Sequence, residues 1–293
     1  MMLIAGTIPD NAVPLSIGPA ATDGEFLIVS GQRLPRIQGT GAMISAALAV
    51  TEHLKLEPPQ TLVVGDIGDG KGSLKMYRYL IDNIGELLPE VLVLHYCMPY
   101  MDLMKELCRA LNKCSRKPVM IADAGAMYAA KGAGLSAEFD IMTPDFSEIA
   151  FLADPLATHP AYIGHHLFNC DFADIPQLIR AAHENKSAAG LLLVKGKTDY
   201  IAANGEVLAV VNEPDVPVLE AIGGTGDTIT GLLSALVYAG LEPREAAITA
   251  ARANRMAGKI AAPTPATRVS RIIDAFPAVF KEYLCQWTTI CTS

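Results

Sequence analysis

Apolar positions along the chain fall into two alternating kinds of stretch. Short apolar runs at Thr61–Val64, Val91–Leu94, Pro118–Ala122 and Gly190–Val194 read as buried strands, with Phe26–Val29 and Phe139–Met142 as shorter candidates. Between them lie stretches that read as helices: Ala42–Leu54, Tyr100–Leu111, Ile175–Glu184, Pro243–Ala262 and a tail helix over Ser270–Leu284. Tyr200–Val210 reads as a hairpin turning at Asn204-Gly205. Strands alternating with helices predict an α/β protein with one mostly parallel central sheet covered by helices. Residues 1–24, rich in Pro, Gly and Ala, read as an irregular arm packing on a neighbour. Residues 153–175, rich in Pro, His and Asp, read as a long loop of the kind that forms a lid or an oligomer contact, so a homo-oligomer is expected.

One helix starts in a run of chemistry-bearing residues. Ile222-Gly223-Gly224-Thr225-Gly226-Asp227-Thr228 leads into apolar positions at Ile229, Leu232, Leu233, Leu236 and Val237, one buried helix face that Gly240 and Pro243 close. A helix N-terminus offers free N–H groups and the positive end of its dipole. Glycines at 223, 224 and 226 leave no Cβ in front of those groups, so the turn suits an anion such as phosphate. Asp227 would repel a resting phosphate there. It makes sense as a base that takes a proton from a hydroxyl attacking phosphorus. Spacing alone leaves a second reading open, in which the glycines only turn the chain and Asp227 caps the helix.

A second glycine-rich loop, Gly65-Asp66-Ile67-Gly68-Asp69-Gly70-Lys71-Gly72-Ser73, nearly spells a P-loop. Gly72 stands where Ser or Thr should meet magnesium, and Asp66 and Asp69 would lie among the phosphates, so that reading fails. Asp66, Gly68 and Asp69 at the C-terminal end of a strand suit a hydroxyl-bearing substrate, with an acidic surface loop as the equal alternative. Gly39-Thr40-Gly41 reads first as a tight structural turn, and His95, alone at a strand end, as structural.

Composition narrows the classes. Of 293 residues 51% are hydrophobic, enough for a sizeable core, and with no linker or internal repeat a single domain over residues 1–293 is expected. A formal charge of −8 and the lack of a basic run argue against nucleic acid and anionic membrane as partners. No apolar run approaches a membrane span, the N-terminus lacks a signal peptide's cationic segment, and six cysteines are scattered without Cys-x-x-Cys. Together these predict reduced thiols and a cytoplasmic protein.

Gly223-Gly224-Thr225-Gly226-Asp227 ahead of a small-residue helix resembles the anion-hole motif of the ribokinase-like superfamily. Its Gly-Thr-Gly-Asp form is most similar to the NAD(P)H-hydrate dehydratase branch. Thr143-Pro144 through Glu148 resembles the superfamily's Thr-Pro segment ending in Glu, and Val194-Lys195-Gly196 its Leu-Lys-Gly strand end, in the family's order. Asp123, ending a strand, resembles the first acid of the dehydratases' Asp-Ala-Asp-type segment and is carried over toward substrate; Gly125 stands where the second acid belongs. Glu213-Pro214-Asp215 departs likewise from the family's Asn-Pro-Gly. The resemblance implies a three-layer ribokinase-like α/β fold, with Asp227 as base and Gly224, Thr225 and Gly226 as anion hole. It implies Lys195, Gly196, Gly223, Thr228 and Asn254 at the nucleotide and Glu148 holding Mg2+ through water. The implied cofactors are Mg2+ with ATP or ADP, and the implied partner is a small hydroxyl-bearing substrate. The implied reaction phosphorylates the hydroxyl of hydrated NAD(P)H and then expels phosphate. A sugar or vitamin-precursor kinase is the alternative, and a nucleotide-binding protein without turnover is a third reading.

Overall fold

The computed structural model describes residues 1–158 and 174–290. Its strands are β1 (Met2–Ile8), β2 (Ser16–Asp23), β3 (Phe26–Val29), β4 (Gln32–Pro35), β5 (Gln60–Gly65), β6 (Val91–His95), β7 (Val119–Ala122), β8 (Ile141–Met142), β9 (Leu191–Val194), β10 (Asp199–Ala203) and β11 (Glu206–Val211). Its helices are α1 (Gly39–His53), α2 (Lys71–Leu87), α3 (Met101–Leu111), α4 (Gly125–Ala133), α5 (Phe146–Ala153), α6 (Ile175–Glu184), α7 (Thr225–Tyr238), α8 (Pro243–Ala261), α9 (Val269–Ile273), α10 (Phe276–Val279) and α11 (Cys285–Trp287).

The strands form one sheet in the order β11-β10-β9-β8-β7-β6-β1-β5-β2-β3-β4. From β9 to β5 neighbouring strands are parallel; the β10–β11 hairpin and the β2–β3–β4 meander extend the two ends antiparallel. In β1, Met2, Ile4 and Ile8 pack into one layer and Leu3 and Ala5 into the other, as successive strand residues must. Helices α1 and α7–α10 cover the first face and α2–α6 the second, giving the three-layer α/β fold. The Asn204-Gly205 turn has positive φ at both residues, +53° and +76°, as a two-residue hairpin loop requires.

Residues 1–24 correct the expectation of an irregular arm. β1 lies in the middle of the sheet, all its residues buried, hydrogen-bonded to β5 on one side and β6 on the other. The run Met2-Leu3-Ile4-Ala5 shows no polar alternation, the mark of a strand covered on both faces. The Pro and Gly density belongs to the turn after it and to β2. The expected tail helix over Ser270–Leu284 is broken into α9, α10 and a π-helical turn at Phe280–Leu284, with Pro277 opening α10 because it cannot donate a backbone hydrogen bond. Cys97, Cys108 and Cys114 are free, but Cys285 is in a disulfide, against the expectation of reduced thiols throughout. Pairing depends on proximity in the fold, which scattered spacing does not reveal. Most of the 153–175 segment lies outside the described residues. Among the described residues no helix is long and apolar enough to cross a membrane.

Helices α1 and α7 pack closely because one contact residue is glycine. A Cβ on Gly231 of α7 would stand 2.1 Å from the Met43 carbonyl oxygen of α1. Gly231→Ala should therefore lower stability by about 1–3 kcal/mol, the usual penalty for overpacking, because backbone cannot yield as a side chain does. The check is a thermal or urea melt of the purified variant, and an unchanged midpoint contradicts the close approach.

Candidate active site

The C-terminal ends of the parallel strands, where open α/β sheets bind ligands, meet the N-terminus of α7. Gly224 caps that helix at φ +99°, a left-handed conformation that explains glycine there. Asp227 lies in the first turn. Its Oδ2 accepts a 2.7 Å hydrogen bond from the Gly39 N–H, and its Oδ1 lies 3.0 Å from His95 Nε2. His95 Nδ1 lies 2.9 Å from the Thr40 hydroxyl, which donates to the Thr7 carbonyl at 2.8 Å. Burial alone would raise the Asp227 carboxyl, but its hydrogen bond with His95, the charge of Lys195 and the Gly39 N–H together bring it below the ordinary value.

A second cluster lies beside the first. Lys195 Nζ donates to both oxygens of Asp123, at 2.9 and 3.0 Å, and the Thr230 hydroxyl donates to Asp123 Oδ2 at 2.7 Å. Burial works against the Lys195 ammonium, yet Asp123, Glu148 and Asp227 hold its pKa above the usual lysine value. The Thr-Pro segment braces this lysine, since the Lys195 N–H donates to the Pro144 carbonyl. Glu148 completes a capping box at the start of α5: Asp145 accepts from the Glu148 N–H, and Glu148 Oε2 accepts from the Asp145 N–H. Its Oε1 accepts from the Tyr128 hydroxyl at 2.7 Å. Burial pushes the Glu148 carboxyl up to about 7 in spite of Lys195.

Two cavities meet at Asp227. One, of about 670 Å³, is lined by Lys195, Gly196, Thr225, Gly226 and Asn254, with Asp123 and Glu148 in its wall. The other, of about 580 Å³, is lined by Gln38, Thr40, Asp66, Ile67, Gly68 and Met98, with Gly223 at its edge. Tyr96, Ala124, Gly224 and Asp227 line both.

Three expected site residues have side chains engaged by the protein itself. Thr228 lines neither cavity; its buried hydroxyl oxygen lies 2.7 Å from both the Thr225 carbonyl and Asn254 Oδ1. Asp69 also lines neither; it is exposed and pairs with Lys71 at 2.8 Å. Asp66 faces the smaller cavity, but its oxygens accept from the N–H groups of Gly68, Gly70 and Ser73 and from the Ser73 hydroxyl. A carboxylate inside a glycine-rich loop has the loop's own N–H groups as its nearest donors, so Asp66 braces the loop.

Sequence reading missed His95, the Gly39 N–H, Thr40 and Arg255. Arg255 donates to Asp199 at 2.8 Å and to the Gly196 and Lys197 carbonyls, fixing the turn that carries Lys195. The one available signal was the position of His95 at a strand's C-terminal end, where ligands gather. Its partner Asp227 stands 132 residues further on, out of reach of any spacing rule.

The central parallel sheet, with a glycine-capped helix N-terminus between two cavities, is a ribokinase-like fold. The NAD(P)H-hydrate dehydratase family model matches residues 101–277, and the chain belongs to that family. It is 35% identical to the uncharacterized protein MJ1337 of Methanocaldococcus jannaschii, over 83% of this chain and all of that one. It is 31% identical to the bifunctional NAD(P)H-hydrate repair enzyme Nnr of Pyrobaculum aerophilum, over 62% of this chain but only 33% of that longer protein. The ADP/ATP-dependent NAD(P)H-hydrate dehydratase of Bacillus subtilis, co-crystallized with ATP/Mg2+, shares the fold with a TM-score of 0.56 at 12% identity, over 98% of this chain and 90% of that one.

The two loops yield separate predictions. Asp66→Ala should cost about 1–3 kcal/mol in a ligand-free melt, because buried N–H groups lose a charged acceptor; unchanged stability would show that the brace is dispensable. In the α7 turn, a Cβ on Gly226 meets only Lys195 side-chain atoms at 3.6 Å or more, whereas one on Gly224 would come within 2.9 Å of Val269 Cγ1. Gly224→Ala should therefore destabilise the ligand-free protein by roughly 1–3 kcal/mol. Gly226→Ala should leave that melt nearly unchanged while weakening ATP binding by about tenfold or more, read by calorimetry. Equal ATP affinity in the Gly226 variant would move the anion site elsewhere.

Proposed function

We propose that the protein transfers a phosphoryl group from ATP or ADP in the larger cavity to a hydroxyl presented from the smaller one, with Asp227 accepting the hydroxyl proton. The observation that carries this reading is Asp227 itself, a carboxylate in the wall common to both cavities and at the glycine-capped start of α7. In a loose phosphoryl-transfer transition state the protein's work is aiming the groups and stabilising charge. Asp227 aims the hydroxyl. The N–H groups of Gly224, Thr225 and Gly226 meet the charge on the transferring phosphoryl, and Lys195, fixed by Asp123, adds a cation beside them. Gly196 and Asn254 belong to the same nucleotide-side wall.

The residues fit a magnesium ion held through water. Burial leaves Glu148 with a carboxyl pKa of about 7, so a neighbouring cation would ionise it. Its oxygens keep lone pairs beyond the bonds from Tyr128 and Asp145, and magnesium retains several waters. When bound, the ion neutralises charge on the nucleotide phosphates.

Family membership supports hydrated NAD(P)H as the acceptor. The hydrate hydroxyl takes the phosphoryl group, leaving ADP or AMP; the C–O bond then breaks, phosphate departs with its electron pair, and the neighbouring ring carbon loses a proton as the double bond re-forms. A kinase reading, in which the phosphorylated product persists, is favoured by one feature of the smaller cavity. Among the described residues its charged side chains are Asp66 and Asp227, both acids, set among Pro9, Ile67, Met98 and Pro99. A compact uncharged alcohol suits such walls better than a diphosphate does. Incubation with magnesium, ATP or ADP, and hydrated NADH or NADPH decides between them. The dehydratase releases phosphate and restores reduced-nicotinamide absorbance in equal amounts. Recovery with neither nucleotide, together with stable phosphorylation of a ring or sugar alcohol, selects the kinase. In either case Asp227→Asn should retain the fold and cut turnover by a factor on the order of 10² or more; near-normal turnover would remove Asp227 from its role.

A further inference from the structure

We infer that His95 is a positioning residue for Asp227: a buried imidazolium that fixes the carboxylate in the wall between the two cavities and keeps it ionised there. This rests on the reading of Asp227 as the base of phosphoryl transfer.

A count of hydrogens carries the inference. The Thr40 hydroxyl has one proton, and the Thr7 carbonyl at 2.8 Å can only accept it. At its 2.9 Å contact with His95 the Thr40 oxygen is therefore the acceptor, and Nδ1 bears a hydrogen. On the other side of the ring an ionised Asp227 Oδ1 at 3.0 Å can also only accept, so Nε2 bears a hydrogen as well. An imidazole with both nitrogens protonated is a cation.

Charge balance gives the same answer. Asp123, Asp227, His95 and Lys195 form one buried group: His95 Nε2 is 3.9 Å from Asp123 and 3.0 Å from Asp227, and Lys195 is 2.9 Å from Asp123. Lys195 offsets Asp123. With His95 neutral, the buried Asp227 charge would be met only by N–H donors and by Lys195, whose ammonium is already paired with Asp123, a costly arrangement. The other groups near the ring do not supply that balance. Tyr96 lies edge-on at 4.2 Å between ring centroids, Glu148 is a further acid, and α1 contributes the uncharged Thr40.

The consequence is mechanical as well as electrostatic. With Oδ2 tied to Gly39 and Oδ1 to His95, the Asp227 carboxylate cannot rotate. An imidazolium neighbour weakens it as a base, a tolerable loss where the attacking hydroxyl needs aiming more than early deprotonation.

Nitrogen NMR on the full-length protein labelled with ¹⁵N-histidine tests the protonation directly, with His95→Gln identifying the signals. Both His95 nitrogens should carry protons at pH 7 in the unaltered protein, and one should lose its proton in Asp227→Asn. A neutral His95 in the unaltered protein overturns the inference, whatever turnover is found. That arm needs no substrate, so it stays decisive even if the proposed phosphoryl transfer fails.

Kinetics then separates positioning from packing. His95→Gln can still donate toward Asp227 but lacks the charge. Turnover should fall by roughly tenfold or more, the size expected when a partner that orients a functional side chain is lost. The acid limb of the pH profile should move to higher pH, because burial of Asp227 is no longer offset. Thr40→Val, which removes the acceptor for Nδ1, should move the limb in the same direction. In an Asp227→Asn background, His95→Gln should add no further loss. A fall in turnover with the acid limb unmoved, or a full additional loss in the double variant, means that His95 only fills space.

Discussion

The approach of α1 to α7 decides where the chemistry can happen. Both helices begin at the C-terminal edge of the parallel strands, and their first turns must nearly touch for the Gly39 N–H to reach Asp227. Gly231, meeting the Met43 carbonyl, permits that distance. Gly41 does the same where α1 passes the β4 end: its Cβ would stand 2.2 Å from the Pro35 carbonyl oxygen. Small residues in these helices therefore act on the site at a distance, through helix spacing.

Burial sets the second constraint. Two carboxylates, a lysine and a histidine meet in a space from which water is largely excluded, and each is tolerable only because the others are present. This separates Asp227 from Asp66. Asp66 satisfies its oxygens within its own loop and stiffens it. Asp227 is satisfied by residues from two other elements, so its position records the assembled fold. Glu148, further along the wall, lacks a cation of its own and is left with a pKa near the neutral range, about 7.

How much of this was legible in the sequence follows from the range of each interaction. The Gly223–Asp227 turn, the hairpin at Asn204-Gly205 and most strands and helices rest on local spacing and chain geometry, and the structure bears them out. β1 escaped because a strand buried on both faces has no alternation, and the Pro and Gly beyond it drew the eye. Within the site, Asp227, Lys195 and Gly226 stood in motifs. His95, Thr40 and Gly39 carry no local mark of their role, since each is defined by a partner more than fifty residues away or by a backbone N–H. Thr228 and Asp69 stood out by motif position and by an acidic loop, and each side chain is engaged by a neighbour in the fold.

The two cavities also divide the chain. The larger draws on residues from Tyr96 to Arg255, nearly all inside the span matched by the dehydratase family model. The smaller draws mostly on Thr7, Pro9, Gln38–Thr40, Asp66–Gly68, Ser73 and Tyr96–Pro99, which precede that span. Family membership therefore bears chiefly on the larger cavity and on Asp227. The smaller cavity is walled by β1, the start of α1 and the loops after β5 and β6, and it stays tied to the α7 turn where the Gly39 N–H and His95 hold Asp227. In the proposed reaction Asp227 stands where the two cavities meet, so residues such as Pro9, Ile67 and Met98, which line only the smaller one, can set which hydroxyl is taken.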